Sequence, residues 1–167
     1  MGNIQAGEVI LDNLKYVHET IEDLPDLYLE TNEILFNRTN SWELVGKTGV
    51  YKGPPNKFTF ASYLIRVRTF TGVDPDFVNL GMNAPFYRKT QINPTLTQQC
   101  GQANFNGTKM KNSLVPVAPS AEQKRIVSKV SVLLSQLDEL STEMRSRQST
   151  TDALLTALVH QILEEAK

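Results

Sequence analysis

Few side chains in this sequence are equipped to make or break bonds. The two histidines, His18 and His160, lie far apart in the chain, and the single cysteine, Cys100, has no obvious base beside it. No spacing of His, Cys, Asp and Glu matches a metal site. Gly46-Lys47-Thr48 matches the end of a phosphate-binding P-loop, but that motif needs glycine at position 41, where this chain has Ser41. Catalytic residues, metal ligands and cofactors are therefore not expected. The informative residues are of the kind that hold a partner. Asn37-Arg38-Thr39-Asn40-Ser41 groups side chains that bond phosphates and base edges, and Arg38 is able to make a bidentate contact. A plainer reading is a turn whose polar side chains cap its own backbone. Gly101 to Lys111 repeats the chemistry with Gln102, Asn104 and Asn106, and adds Lys109 and Lys111.

Charge points the same way. The net charge of −1 conceals a strong segregation. From Met1 to Glu33 eight acids face one base, a net of −7, whereas from Ile34 to Ala118 ten bases face three acids, a net of +7. A basic middle in a near-neutral chain is the sequence footprint of a surface for a polyanion. Lys47, Lys52, Arg88 and Lys89 lie in that segment and complete the candidate DNA-binding set.

The chain of 167 residues has room for one globular domain, expected over 1–118, and a helical region over 119–167. No apolar run approaches the roughly 18 residues that span a bilayer, and the start lacks a secretory pattern. One cysteine excludes an intrachain disulfide framework and suits a reducing, cytoplasmic setting.

The elements that must position these residues are short. Glu8 to Leu11 is strand-like, Asp12-Asn13 a turn, and Asp23-Leu24-Pro25 opens a short helix. Ile34-Leu35-Phe36 and Gly49-Val50-Tyr51 read as strands. Ser62 to Arg68 alternates, with Tyr63, Ile65 and Val67 on one face. Asp74-Pro75 caps a helix to about Asn83. Ala84 to Lys111 reads as a long functional loop or irregular strands, and Leu114 to Val117 as a last strand before Pro119. The fold class is α+β, a small mixed domain followed by a long helix.

That helix runs from Ser120 to about Glu165 with neither Gly nor Pro. Ser120 stands three residues before Gln123, the spacing of a capping box. Ile126, Val130, Leu133, Leu137, Leu140 and Met144, then Leu155, Leu158 and Ile162, form an apolar ladder. Gln148 and Thr151 take the rungs between. A mean spacing near 3.5 is a coiled-coil seam, and these nine residues are the expected dimerisation face. The polar stretch Arg145 to Asp152 leaves a second reading open, a turn with Ser149 capping a helix that folds back.

Two resemblances remain. Asn83-Ala84-Pro85-Phe86 is similar to the Asn-Pro-Pro-aromatic motif of amino-methyltransferases, but one proline is missing and no Gly-rich cofactor loop precedes it. The second is extensive. ILFNRTNSWELVGKTGVY (Ile34 to Tyr51), YLIRVR (Tyr63 to Arg68), GQANFNGTKMK (Gly101 to Lys111) and PVAPSAEQKRIVSKV (Pro116 to Val130) occur in this order. They resemble the specificity subunit of type I restriction-modification enzymes over nearly the whole chain. The resemblance implies a non-catalytic target-recognition domain that reads half of a bipartite site in double-stranded DNA. It also implies a helical region that sets the spacing and docks methyltransferase subunits. A full subunit of that family has two domains and two helices, whereas this chain has one of each. It opens at a point resembling the interior of such a domain, so a half-size or truncated form is expected. Two copies, or this chain with a second chain like it, would then pair their helices as an antiparallel coiled coil. The competing expectation is an assembly protein that uses the helix without reading DNA.

Overall fold

The computed structural model describes residues 2–99 and 101–165; Cys100 lies outside the described residues. The chain divides into two compact units, 1–127 and 128–167.

The first unit is built on a five-stranded sheet. Its strands are β1 (Ile4–Gln5), β2 (Glu8–Val9), β3 (Ile34–Asn37), β5 (Thr48–Val50) and β6 (Leu64–Val67), in the order β1-β2-β5-β3-β6. β3 is antiparallel to both neighbours, with Leu35 opposite Gly49 on one side and Arg66 on the other. The compact run Ile34-Leu35-Phe36 serves two cores at once. Alternate strand residues point to opposite faces, so Ile34 and Phe36 join Val45, Val50, Val78, Met82, Ile92 and Phe105 in the larger core. Leu35 faces the smaller core with Ile4, Leu29 and Tyr51. Arg66, in the alternating stretch Ser62 to Arg68, packs its guanidinium 5.3 Å from the Phe60 ring centroid and donates to the Tyr28 carbonyl at 2.8 Å. The buried Glu33 carboxylate takes an ion pair from Arg68 and a longer one, 3.7 Å, from Arg66.

Helix α1 (Leu24–Leu27) is a single turn. Helix α2 (Pro75–Asn83) begins as its sequence indicates, with Pro75 in the first turn and the Asp74 carboxylate accepting from the N–H groups of Asp76 (2.8 Å) and Phe77 (3.3 Å). The segment read as a long functional loop or irregular strands, 84–111, holds short helical turns and two short strands. A turn of helix, α3 (Pro85–Tyr87), continues into a π-helical turn, Arg88–Ile92, and a 3₁₀ turn, Asn93–Thr95. A hairpin follows, β7 (Thr97–Gln99) with β8 (Gln102–Asn104), and then α4 (Gly107–Lys111). The hairpin pairs with β4 (Thr39–Asn40) in a second sheet of order β4-β8-β7. The strand expected over Leu114 to Val117 does not form. That stretch has no regular structure; Val115 packs on the larger core and the Leu114 N–H bonds the Gln91 side chain at 3.1 Å.

Helix α5 runs unbroken through 46 residues, Ser120–Glu165, which removes the turn-and-return reading of Arg145 to Asp152. At 1.5 Å per residue it is about 70 Å long. The capping-box role of Gln123 is also corrected. Gln123 is 1% exposed; it accepts from the Asp74 N–H (2.7 Å) and donates to the carbonyls of Ala118 (2.7 Å) and Gly72 (3.3 Å). It ties the first turn of α5 to the start of α2 within the first unit. Beyond it, Ile126 and Val130 are half-buried, whereas Leu133, Leu137, Leu140, Met144, Leu155, Leu158 and Ile162 are between 45% and 64% exposed. Among the described residues no helix is long and apolar enough to cross a membrane.

Candidate nucleic-acid interface

The two polar stretches singled out by their chemistry meet in the second sheet. Thr39 stands opposite Asn104 and Asn40 opposite Ala103, and the Asn104 amide donates to the Thr39 hydroxyl at 3.0 Å. Arg38 is the single residue between β3 and β4, so it joins the two sheets. Its N–H bonds the Tyr63 carbonyl (3.0 Å) and its carbonyl accepts from the Phe105 N–H (2.8 Å). Phe36 and Phe105 pack beneath with ring centroids 5.2 Å apart.

Asn37 is buried. Its amide donates to the Leu44 carbonyl at 3.2 Å, and its backbone exchanges bonds with Gly46 and Lys47. It therefore anchors the loop 41–47 from below. Arg88 holds the same loop from the side, donating to the carbonyls of Val45 (2.7 Å) and Trp42. Gly46 is required where it stands: its φ is +91°, and a Cβ there would lie 2.4 Å from Ile92 Cδ1. Asn40 accepts from the Ser41 N–H at 2.8 Å. So held, the loop presents Trp42, Glu43, Leu44 and Lys47 to solvent. The Glu43 carboxyl is held below its usual range, first by its backbone hydrogen bond and then by the Ser41 hydroxyl, with the Arg88 charge contributing. Trp42 is the residue that sequence reasoning passed over. A lone tryptophan directly after a polar pentad was a usable signal, since such a ring normally belongs in a core.

On the other side of the sheet, Lys109 donates to the Thr97 hydroxyl (3.2 Å) and the Asn104 carbonyl (3.4 Å), and the Asn106 side chain caps α4 by accepting from the Lys109 N–H at 3.0 Å. Gln102 is exposed at the hairpin. The structure thus brings together Thr39, Asn40, Ser41, Gln102, Asn104, Asn106 and Lys109. Lys52 is apart from them, paired with Asp76 at 2.7 Å. Of the ten bases in the +7 segment, Arg66, Arg68, Lys52, Arg88 and Lys109 are engaged within the fold. Lys47, Lys89 and Lys111 are exposed, and their ammonium groups make no hydrogen bond or ion pair among the described residues. Arg38 Nε and Asn37 Oδ1 are buried without a hydrogen-bond partner among the described residues.

Asn83, from the methyltransferase-like tetrad, is occupied elsewhere. Its amide donates to the carbonyl (3.0 Å) and hydroxyl (2.8 Å) of Thr48 and its oxygen accepts from the Thr48 N–H (3.1 Å), fastening α2 to β5.

An α+β domain with a polar second sheet, and a long helix with an exposed apolar seam, is the class that the structure defines. No protein-family model matches the chain. It is similar to the type I restriction enzyme EcoKI specificity subunit of Escherichia coli, 24% identical over 161 residues that cover 95% of this chain and 34% of that protein. It is also similar to the putative type I restriction enzyme MjaX specificity subunit of Methanocaldococcus jannaschii, 27% identical over 138 residues, 82% of this chain and 32% of that protein. The chain thus spans about a third of the length of the curated relatives it matches. The resemblance to type I specificity subunits that the motifs carry is shared by both comparisons.

Proposed function

We propose that this chain is a DNA-sequence recognition module of a type I restriction-modification system, without catalysis of its own. Its second sheet and the 41–47 loop meet double-stranded DNA, and the long helix joins copies and docks methyltransferase subunits. The observation that carries this reading is the convergence of the two polar segments, 37–41 and 101–111, on one sheet. Similarity to two specificity subunits supports it. Lys47, Lys89 and Lys111 are the cations for phosphates; Arg38, Thr39, Asn40, Trp42, Gln102 and Asn104 are the side chains for base edges. Asn37, Arg88 and Lys109 position the others.

One recognition domain serves one half of a bipartite site. Two copies pairing their helices as an antiparallel coiled coil supply the second half, and partner subunits directed to that site carry methylation and cleavage. Titration of a fluorescent duplex at low and raised salt tests the DNA reading, because phosphate contacts make affinity fall steeply with salt. Binding that is absent or indifferent to salt would favour the assembly protein, a reading supported by how many of the basic side chains are spent on internal bonds.

A further inference from the structure

Resting on the self-pairing proposed above, we infer its register: two copies of the helix run antiparallel about a two-fold axis at Met144. From Ile126 to Met144 the rungs are spaced four, three, four, three, four, and from Met144 to Ile162 the same series follows. Two steps of four meet at Met144, a stutter of the kind that locally unwinds a supercoil. Parallel helices set every rung against its own copy, whatever the spacing. Antiparallel helices set each rung against its mirror image, which works when the ladder reads alike from both ends. This ladder does. Leu133 then meets Leu155, Leu137 meets Thr151, Leu140 meets Gln148, and Met144 meets itself.

The two polar rungs are partly satisfied within their own helix. Gln148 Nε2 donates to the Asp152 carboxylate at 3.0 Å, and the Thr151 hydroxyl donates to the Arg147 carbonyl at 2.9 Å. Thr151 then has no free donor to bring to the seam, and Gln148 keeps one N–H. Glu143 and Arg147 lie on one flank of the seam, one turn apart and joined at 2.5 Å, which pairs both charges within one chain and leaves the register to the ladder. The central rungs are the exposed ones, from Leu133 onward, whereas Ile126 and Val130 are half-buried within their own chain.

Thiol cross-linking of the full chain tests this. In a Cys100→Ser background, single cysteines replace Met144, Leu133 or Leu155, and a short bismaleimide is added. Met144→Cys is expected to give nearly complete dimer on a denaturing gel. Leu133→Cys and Leu155→Cys are each expected to stay monomeric, since in this register their like copies sit about 33 Å apart along the axis. A mixture of those two chains is expected to cross-link. Dimer from Leu133→Cys by itself would mean parallel helices and overturn the proposal. A chain that sediments as a dimer yet cross-links neither at 144 nor in the mixture would overturn the register and leave the self-pairing. A wild-type monomer at micromolar concentration would overturn both.

Discussion

Arg38 joins the two sheets through its backbone, which any residue can supply, while its side chain keeps a buried Nε without a partner. Arg38→Ala is therefore expected to leave thermal stability near wild type while weakening DNA binding, by about 1–3 kcal/mol if the guanidinium meets a base edge. A lowered melting temperature with unchanged affinity per folded molecule would make the residue structural. Lys109 and Lys111 looked interchangeable in sequence but differ in surroundings. Lys111→Gln should weaken binding to all duplexes alike and reduce the salt slope by about 1. Lys109→Gln should in addition lower the melting temperature, because its ammonium ties Thr97 to Asn104. Anisotropy titrations at several salt concentrations, beside melting curves, separate the two. Asn37 shows why residue type is an incomplete guide: an amide that suits a base edge equally suits a carbonyl inside a loop, and chain order alone does not say which is nearer.

The strands and helices that the sequence announced are those with a repeating signal. Ile34 to Phe36, Leu64 to Val67, the capped start of α2 and the 46 residues of α5 each carry periodicity or a cap that acts locally. Apart from the Asn106 cap of α4, the segment 84–111 carries neither. Its turns are three to five residues long and are held by distant partners, as Tyr87 is by the Ser113 hydroxyl at 2.9 Å, so no local pattern announces them. Leu114 to Val117 erred the other way, strand-like in composition but with no neighbouring strand to pair with. For α5, the exposed seam is the element to test. Large apolar side chains gain roughly 1.5–3 kcal/mol each when fully buried. Leu137→Asp and Leu155→Asp, each placing a charge in the seam, are expected to weaken dimerisation at least about tenfold, equivalent to about 1.4 kcal/mol. Sedimentation across a concentration series measures this, and unchanged mass would place the interface elsewhere.

For the molecule entire, a two-fold pair of identical readers implies a target that is an interrupted palindrome with identical half-sites. Selection of bound duplexes from a randomised pool should enrich inverted repeats at one fixed separation; direct repeats or a lone half-site would contradict the symmetry. The exposed seam of α5 has a further effect, one of dosage. Under the proposed self-pairing, the seven seam side chains from Leu133 to Ile162, exposed in the single chain, are covered by a second copy, so the fraction of complete reader would follow mass action. At low abundance each chain would then hold half an address, and doubling the amount of protein would nearly quadruple the amount of complete reader. Occupancy of a full site should then rise sigmoidally with chain concentration while occupancy of a half-site rises hyperbolically. A cell carrying such a chain would acquire specificity past a threshold of expression.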